Sequence, residues 1–297
     1  LPIWVIRLKY MEKAPAKINL AIDVLSKRAD GYHDVAMIMQ SIALYDVVTV
    51  KPIRGGKITV ITDSEIVPNG SSNIAYKTAE FLKNKYNVKD GVEIYIEKNI
   101  PIAAGLAGGS ADAAATIKLL NKAWRLKMSW IEMQEISKKI GSDVPFCIEG
   151  GTALAEGLGE KLTRLKPLPE CYILLAKPEM SISTKEAYQG INIKEIKERP
   201  DIRGMIEALK KGSLPDIASR LCNVLENVTV KKCGDIPDIK RKLMEYGALG
   251  SVMSGSGPTV FGIFDDQNKA YYAYDHIKSM VDEIFLVKTL AHDYENE

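Results

Sequence analysis

The clearest alternation of hydrophobic and polar positions lies in residues 92–97, where valine or isoleucine occupies each even position and glutamate or tyrosine each odd one. Alternation with a period of two is typical of a strand with one buried face. Pro101 has no N–H to donate to a sheet, so we expect the strand to end before it. The glycine-rich residues 105–110 then lead into an alanine-rich stretch, 111–122, which predicts a helix with Ser110 as its N-cap.

A second alternating stretch, residues 16–25, places isoleucine, leucine or valine at positions 18, 20, 22 and 24. The residues between them point the other way, so Lys17 and Asn19 are predicted to lie side by side on the opposite face of a strand. A lysine in such a position is commonly solvated. The pattern alone therefore leaves two alternatives for Lys17, a solvated surface residue and a functional one.

The remaining patterns predict elements along the rest of the chain. We expect strands over 36–50, 57–61, 150–155, 172–176, 249–253, 260–264 and 284–290. We expect helices over 73–86, 130–140, 185–189, 202–211, 214–225, 237–246 and 269–280. Ser129 is the predicted N-cap of the helix over 130–140, and Gly141 its C-terminal cap.

The composition changes at the proline-containing segment 165–170, where we place a domain boundary. This gives an N-terminal domain over 1–165 and a C-terminal domain over 166–297. If the helices between strands count as one layer, the C-terminal elements follow the order βαββαβ. That order is typical of a ferredoxin-like domain.

A strand, a glycine loop and a helix start together favour an anion site. Glycine lets the backbone approach a ligand closely, and the first N–H groups of a helix have no partner within the helix. A phosphate chain is the expected ligand, and a simple connecting turn is the alternative. Residues 105–110 match neither the P-loop nor the dinucleotide-binding pattern.

Three other segments carry candidate chemistry. Asp30 and Gly31 predict a turn that presents Tyr32 and His33 together, either for structural reasons or to stack on a ligand. Pro145 disfavours helical geometry at the residue before it, which would leave Asp143 in a fixed corner as a turn former, a general base or a metal ligand. The glycine loop 254–258 predicts a hairpin, with a backbone surface facing the first loop across a domain cleft as the alternative.

Composition narrows the class of protein. The 297 residues suffice for two domains, and 46% hydrophobic with 26% charged residues is typical of a globular protein. A formal net charge of +2 without a dense basic run disfavours nucleic acid as a partner. No apolar stretch is long enough to span a bilayer, and four scattered cysteines suggest a reduced, cytoplasmic protein.

The first ten residues are apolar with two late positive charges, and they lack the pattern of a secretory leader. An additional strand is one interpretation. The other is that these residues lie upstream of the native start, since Met11 precedes a clear strand pattern.

Three segments resemble, in order, the three motifs of the GHMP kinase superfamily: PAKINL at 15–20, PIAAGLAGGSADAA at 101–114 and GSGPTVF at 255–261. RADGYH at 28–33 and GSDVPF at 141–146 narrow the resemblance to the branch that acts on a diphosphocytidyl methylerythritol. The alternatives are another GHMP kinase, acting on mevalonate, homoserine or a sugar, and a non-catalytic nucleotide-binding protein.

The resemblance implies a two-domain α+β fold. Its N-terminal domain would be similar to domain 2 of ribosomal protein S5 and carry the ATP phosphate loop, and its C-terminal domain would be ferredoxin-like, with the active site in the cleft between them. It implies phosphorylation of the substrate's 2-hydroxyl by ATP, with Mg²⁺ held largely by ATP and water. We expect a small-molecule substrate, no nucleic acid or membrane partner, and a monomer or weak homodimer.

The resemblance also assigns roles to individual residues. Asp143 matches the general base and Lys17 the catalytic lysine, which orients Asp143 and the hydroxyl. Asn19, Tyr32 and His33 match residues that hold the cytidyl end of the substrate. The expected ATP contacts are Pro101, Ala104, Gly105, Leu106, Ala107, Gly108, Gly109 and Ser110, with Asn73 and Lys98 near the nucleotide; no metal ligand is assigned.

Two positions depart from the pattern of the branch. Ala107 stands where relatives have glycine, which we expect to require a negative φ at that residue. Ala111 replaces a serine and removes one possible hydroxyl contact to phosphate or metal.

Overall fold

The computed structural model describes residues 9–291 and divides them into two compact units. The first unit comprises residues 9–15, Tyr45–Ile100 and Gly108–Ile148, and the second comprises Ala16–Leu44, Pro101–Ala107 and residues from Glu149 onward. The second unit therefore takes residues from both sides of the boundary that the sequence predicts near residue 165. The strand suggested for the first ten residues lies mostly outside the described residues, although β1 begins at Tyr10.

The strands are β1 (Tyr10–Lys27), β2 (His33–Ile53), β3 (Ile58–Thr62), β4 (Gly91–Glu97), β5 (Thr152–Gly157), β6 (Lys161–Arg164), β7 (Tyr172–Lys177), β8 (Cys222–Asn223), β9 (Gly250–Met253), β10 (Val260–Phe264) and β11 (Glu283–Lys288). The helices are α1 (Ile74–Lys85), α2 (Gly108–Ala123), α3 (Trp130–Ile140), α4 (Val144–Glu149), α5 (Thr184–Gly190), α6 (Ile202–Lys211), α7 (Leu214–Ala218), α8 (Glu226–Thr229), α9 (Asp235–Glu245) and α10 (Gln267–Ile277). No helix in this part of the chain is both long and apolar enough to cross a membrane.

In the first unit, β4 lies between β3, to which it is parallel, and the C-terminal part of β2, to which it is antiparallel. The predicted alternation in β4 is confirmed, because its even-numbered residues 92–96 are buried and its odd-numbered residues 93–97 are exposed. Helices α1 and α3 pack against α2. The start of α2 lies beside the segment that follows β4, since a Cβ added to Gly108 would lie 3.1 Å from the side chain of Ile100.

In the second unit, β7, β9, β10 and β11 form an antiparallel sheet with the order β11-β7-β10-β9. Helices α5 to α9 connect β7 to β9, and α10 connects β10 to β11. This is the predicted ferredoxin-like arrangement, which is confirmed. The N-terminal part of β2 pairs with β5, β5 pairs with β6, and β1 is parallel to β8.

One predicted helix and the expected geometry of one residue are wrong. The helix expected over 214–225 ends at Ala218, and Cys222 and Asn223 instead form β8 against β1. Sheet pairing and side-chain hydrogen bonds of Asn223 override the helical spacing there. Val144, expected outside any helix, is the first residue of α4. Pro145 then occupies the first turn, where its missing N–H has no helical partner to lose.

Candidate active site

The first turn of α2 has backbone N–H groups that lack a partner within the helix, and it lies at the surface. The helix begins at Gly108, two residues before the predicted N-cap, so the assignment of Ser110 as the N-cap is wrong. Gly109 is exposed, and Gly108 and Ser110 are half-buried. An anion can therefore reach the N–H groups of this turn, where the helix dipole also favours negative charge.

The helix begins early because the chain turns at Ala107. This residue has a φ of 59°, in the left-handed region, so the expectation of a negative φ is wrong. For a residue with a Cβ this conformation costs roughly 1–2 kcal/mol, which glycine would not incur. The alanine at this position is therefore strained, and the turn that it makes allows Gly108 to be the first helical residue.

We expect Ala107→Gly to raise the free energy of unfolding by about 1 kcal/mol, because removing the Cβ relieves the left-handed strain and outweighs the added chain entropy. Chemical denaturation monitored by circular dichroism measures this change. Ala111→Gly, at a buried position inside α2, is the matched control and should lower the free energy of unfolding. A loss of stability in Ala107→Gly would contradict this explanation.

In the second unit, the ammonium group of Lys17 is buried and fixed. The residue is 3% exposed. Its Nζ donates to Oδ1 of Asn19 at 2.7 Å and to the carbonyl of Gly105 at 2.8 Å. Its backbone N–H donates to the carbonyl of Leu106 at 3.1 Å. Lys17 and Asn19 lie side by side, as predicted. The alternative of a solvated Lys17 is wrong. The lysine holds the start of the glycine loop through the carbonyl of Gly105.

The two glycine loops pack together in this unit. Gly105 has a φ of 78°, and a Cβ at this position would overlap the carbonyl of Ser254. The hydroxyl of Ser254 donates to the carbonyl of Gly105 at 3.0 Å. The second loop also joins the antiparallel strands β9 and β10. It is therefore a hairpin connection, as the sequence predicts, and its backbone faces the first loop as well.

Asn223 holds the second loop and was missed in the sequence. Its side-chain Nδ2 donates to the carbonyls of Met253 and Gly255, both at 2.8 Å, and its Oδ1 accepts from the N–H of Leu225 at 3.0 Å. The residue is buried. The sequence predicts a helix here, so the contact of Asn223 with the second loop was not expected. The residue instead lies in β8, which pairs with β1.

The turn before β2 presents its two aromatic residues differently. Asp30 Oδ1 accepts from the N–H of Tyr32 at 3.0 Å, which fixes the turn. Tyr32 is 64% exposed, whereas His33 is buried. The ring of His33 lies 5.7 Å from the ring of Tyr188, a residue of α5 that the sequence did not single out. Burial, with a contribution from Lys27, lowers the pKa of His33, so its imidazole is neutral at neutral pH.

A buried ion cluster lies beside the first turn of α2. Nζ of Lys98 donates to Oδ2 of Asp112 at 2.7 Å and also contacts the carboxylate of Asp46. Burial lowers the pKa of Lys98, but the two carboxylates outweigh it and the net direction is upward. Lys98 was predicted near the nucleotide, whereas neither aspartate was recognised. The available signal was Asp112 itself, a charged residue in an otherwise apolar helical stretch.

Asn73 and Asp143 both lie immediately before helices. Asn73 is the N-cap of α1: its Oδ1 accepts from the N–H of Ala75 at 2.8 Å, and its Nδ2 donates to the carbonyl of Pro68 at 2.9 Å. Its predicted place near the nucleotide stays a prediction. Asp143 precedes α4 and is half-buried, and its carbonyl accepts from the N–H of Cys147 at 3.1 Å. Its role as a base likewise stays a prediction.

Comparisons with known proteins agree on one family. The model of the GHMP kinase N-terminal domain matches residues 73–151, and that of the GHMP kinase C-terminal domain matches residues 205–283. The 4-diphosphocytidyl-2-C-methyl-D-erythritol kinase of Caldicellulosiruptor bescii is 50% identical over 93% of this chain and 97% of its own length. The enzyme of the same name from Clostridioides difficile is 49% identical over 93% of this chain and 94% of its own.

A solved structure extends the similarity to three dimensions. The crystal structure of a 4-(cytidine 5'-diphospho)-2C-methyl-D-erythritol kinase has a TM-score of 0.80 and 27% identity. The match covers 94% of this chain and 99% of that one.

Proposed function

This chain belongs to the GHMP kinase family and has its two-domain α+β fold, and we propose that it transfers the γ-phosphate of ATP to the 2-hydroxyl of 4-diphosphocytidyl-2-C-methyl-D-erythritol. One observation carries the choice of substrate: curated relatives 46–50% identical over 93–95% of this chain all have the name of that kinase. The reaction would be a step of non-mevalonate isoprenoid precursor biosynthesis, in the cytoplasm, by a monomer or weak homodimer.

Phosphoryl transfer requires mainly that the protein position its substrates and stabilise charge. The open first turn of α2 supplies oriented N–H groups for the phosphates, and the loop before it lets the backbone approach them. Lys17 contributes a positive charge whose position is fixed by its bonds to Asn19 and Gly105. Such a preorganised charge loses little free energy to reorganisation when negative charge builds up in the transition state.

Asp143 is the proposed general base. As the 2-hydroxyl oxygen forms its bond to the γ-phosphorus, its proton passes to the carboxylate of Asp143, and the bond from the γ-phosphorus to the ADP oxygen breaks. The hydroxyl becomes acidic only as the new bond forms, so the proton moves late in the step. A base in this position contributes roughly 10²–10⁴-fold to the rate.

Mg²⁺ would come to this site with ATP and would neutralise charge on the phosphates. Within residues 9–291, no group of three or more histidine, cysteine or acidic side chains is arranged to hold a metal ion. The carboxylates of Asp46 and of Asp112, a residue of α2, both face the ammonium of Lys98, which would repel a divalent cation. They do not fit as ligands, so we derive no step through the metal.

The cytidyl end of the substrate is assigned to the turn before β2. The exposed ring of Tyr32 offers a surface for the base to stack on, and the neutral imidazole of His33 offers one donor and one acceptor. Tyr188, whose ring lies beside that of His33, extends the same aromatic surface. Asn19 adds a buried amide next to Lys17.

A substrate panel tests the proposal. The purified protein is incubated with ATP, Mg²⁺ and, separately, the diphosphocytidyl methylerythritol, mevalonate, homoserine and a hexose, and ADP release is followed by a coupled assay. We expect turnover with the cytidyl substrate alone, and nuclear magnetic resonance of the product should place the new phosphate on the 2-oxygen. Preferred turnover of another alcohol would identify a different GHMP kinase, and no turnover of any would favour a non-catalytic binding protein.

Tyr32→Ala and His33→Ala should each raise the KM for the cytidyl substrate, by about threefold to tenfold for the loss of one aromatic contact. The dissociation constant of an ATP analogue should stay unchanged. Tyr95→Ala removes an exposed tyrosine from β4 and is the matched control, with no expected effect on either ligand. Equal loss of affinity for both ligands in the Tyr32 and His33 variants would contradict this assignment.

A further inference from the structure

Three charged groups are buried beside the proposed phosphate site. Oδ1 of Asp46 accepts from the N–H groups of Asn99 at 2.7 Å and Ile100 at 2.8 Å, which leaves its Oδ2 facing Lys98. Lys98 in turn contacts Asp112 at 2.7 Å. With both carboxylates ionised, the cluster carries one excess negative charge in a site that excludes water.

The excess charge is concentrated on Asp112. This residue is 2% exposed, and its Oδ1 has no hydrogen-bond partner among residues 9–291. A buried, unsatisfied carboxylate oxygen is unfavourable when ionised and requires an explanation. Lys98 and Asp46 are the charged groups that face it: Lys98 favours the ionised form, while burial and Asp46 oppose it. Burial is the largest effect and raises the pKa of Asp112 to about 7.

This cluster lies within one helical turn of the phosphate site. Asp112 follows Gly108 by four residues and therefore lies beneath it on the same side of α2. A Cβ added to Gly108 would lie 3.5 Å from Oδ2 of Asp46. Phosphates bound at the first turn of α2 would thus face this cluster at short range, through a medium in which charges interact more strongly than in water.

We propose that Asp112 is a proton-linked positioning residue of the nucleotide site, which takes up a proton when the phosphates of the nucleotide bind at the start of α2. The inference rests on the proposed function for the existence of that site. A protonated Asp112 makes the cluster neutral and removes its repulsion of the phosphates. Lys98 and Asp46 stay ionised and keep their ion pair, which joins the residue after β4 to β2.

The sign of the linkage follows from this charge balance. At low pH Asp112 is already protonated, so nucleotide binding requires no proton. As pH rises through the free-state value near 7, binding must take a proton from solvent and therefore weakens. If the bound phosphates raise the pKa of Asp112 by about one unit, the nucleotide binds about tenfold more weakly at high pH than at low pH.

The test measures the affinity of the magnesium complex of a non-hydrolysable ATP analogue from about pH 6 to about pH 8.5, by calorimetry, in the wild type and in Asp112→Asn. Asparagine is a neutral isostere of the protonated acid. We expect the two proteins to bind equally at low pH, and the wild type to bind about tenfold more weakly at high pH. Both proteins bind the same nucleotide, so protonation of the nucleotide itself cancels in the ratio of the wild-type affinity to the Asp112→Asn affinity. Glu80→Gln, which removes an exposed carboxylate from α1, should follow the wild type at every pH.

Proton uptake by the wild type gives a second measurement that does not depend on a folded variant. Calorimetry in buffers of different ionisation enthalpy should show uptake of about half a proton near neutral pH. Zero uptake, or an affinity ratio that does not change with pH, would overturn the role of Asp112 while leaving the nucleotide site intact. Failure of the wild type to bind the nucleotide at any pH would instead overturn the proposed function, and this inference with it.

Discussion

Asp143→Asn is expected to reduce kcat by about 10²–10⁴-fold, because asparagine keeps the shape of the side chain but cannot accept the proton of the substrate hydroxyl. The dissociation constant of an ATP analogue should stay within about twofold, since the proposed ATP contacts are the glycine loop, Asn73 and Lys98, and do not include Asp143. Rapid-quench measurements of a single turnover report the chemical step directly and separate it from product release.

The design requires a fold control and a charge control. Asp143 lies directly before α4, and its backbone carbonyl accepts the N–H of Cys147. Asparagine is as good as aspartate before a helix, so the thermal midpoint should not change. Asp90→Asn removes an exposed carboxylate from the same unit and should keep the wild-type rate. Wild-type turnover by the Asp143 variant would show that another group, or water, accepts the proton.

Much of the fold could be predicted because its elements follow local rules. β10 and α6 have the predicted bounds, since β10 is a short apolar run, α6 has apolar residues at helical spacing, and both are flanked by turn residues. The ferredoxin-like order follows from the sequence of strands and helices in the second unit. The division into compact units could not be predicted from local patterns, because β1 and β2 each contribute residues to both units.

The misses share a physical cause, which is competition between local preference and tertiary contacts. β8 is only two residues long, and its pairing with β1 depends on residues about two hundred positions away in the chain. At Ala107 the preference of alanine for negative φ is overridden, because the loop between Gly105 and Gly108 has to turn into α2. Sequence rules describe the conformation that a residue prefers locally. At these positions tertiary contacts impose a different conformation.

In the candidate site, too, local patterns predict some features and tertiary contacts determine the others. Lys17 and Asn19 could be placed together because strand alternation fixes the face that each occupies. That Lys17 is buried and bonded to Gly105 depends on a contact across 88 positions, which no local pattern encodes. The cluster of Asp46, Lys98 and Asp112 likewise joins three separate segments of the chain. A charged residue inside an apolar helical stretch is the signal that would have drawn attention to it.

Lys17→Met is expected to reduce kcat by about 10²–10³-fold, the loss usual for removing one preorganised stabiliser of transition-state charge. Methionine nearly matches the length of the lysine side chain but carries no charge and donates no hydrogen bond. The KM for each substrate should change much less than kcat, because the proposed interaction strengthens as charge develops. Steady-state kinetics with both substrates varied measure this separation.

A second variant distinguishes the charge of Lys17 from its role in holding the glycine loop. The carbonyl of Gly105 accepts from both Lys17 and Ser254, so Ser254→Ala removes one of these bonds and leaves the charge in place. If the loop contact were the whole role of Lys17, the two variants would lose similar activity. We expect Ser254→Ala to lose less than about tenfold, the equivalent of one neutral hydrogen bond. Equal losses would therefore assign Lys17 to loop positioning, and a loss confined to Lys17→Met would assign it to the transferring phosphate.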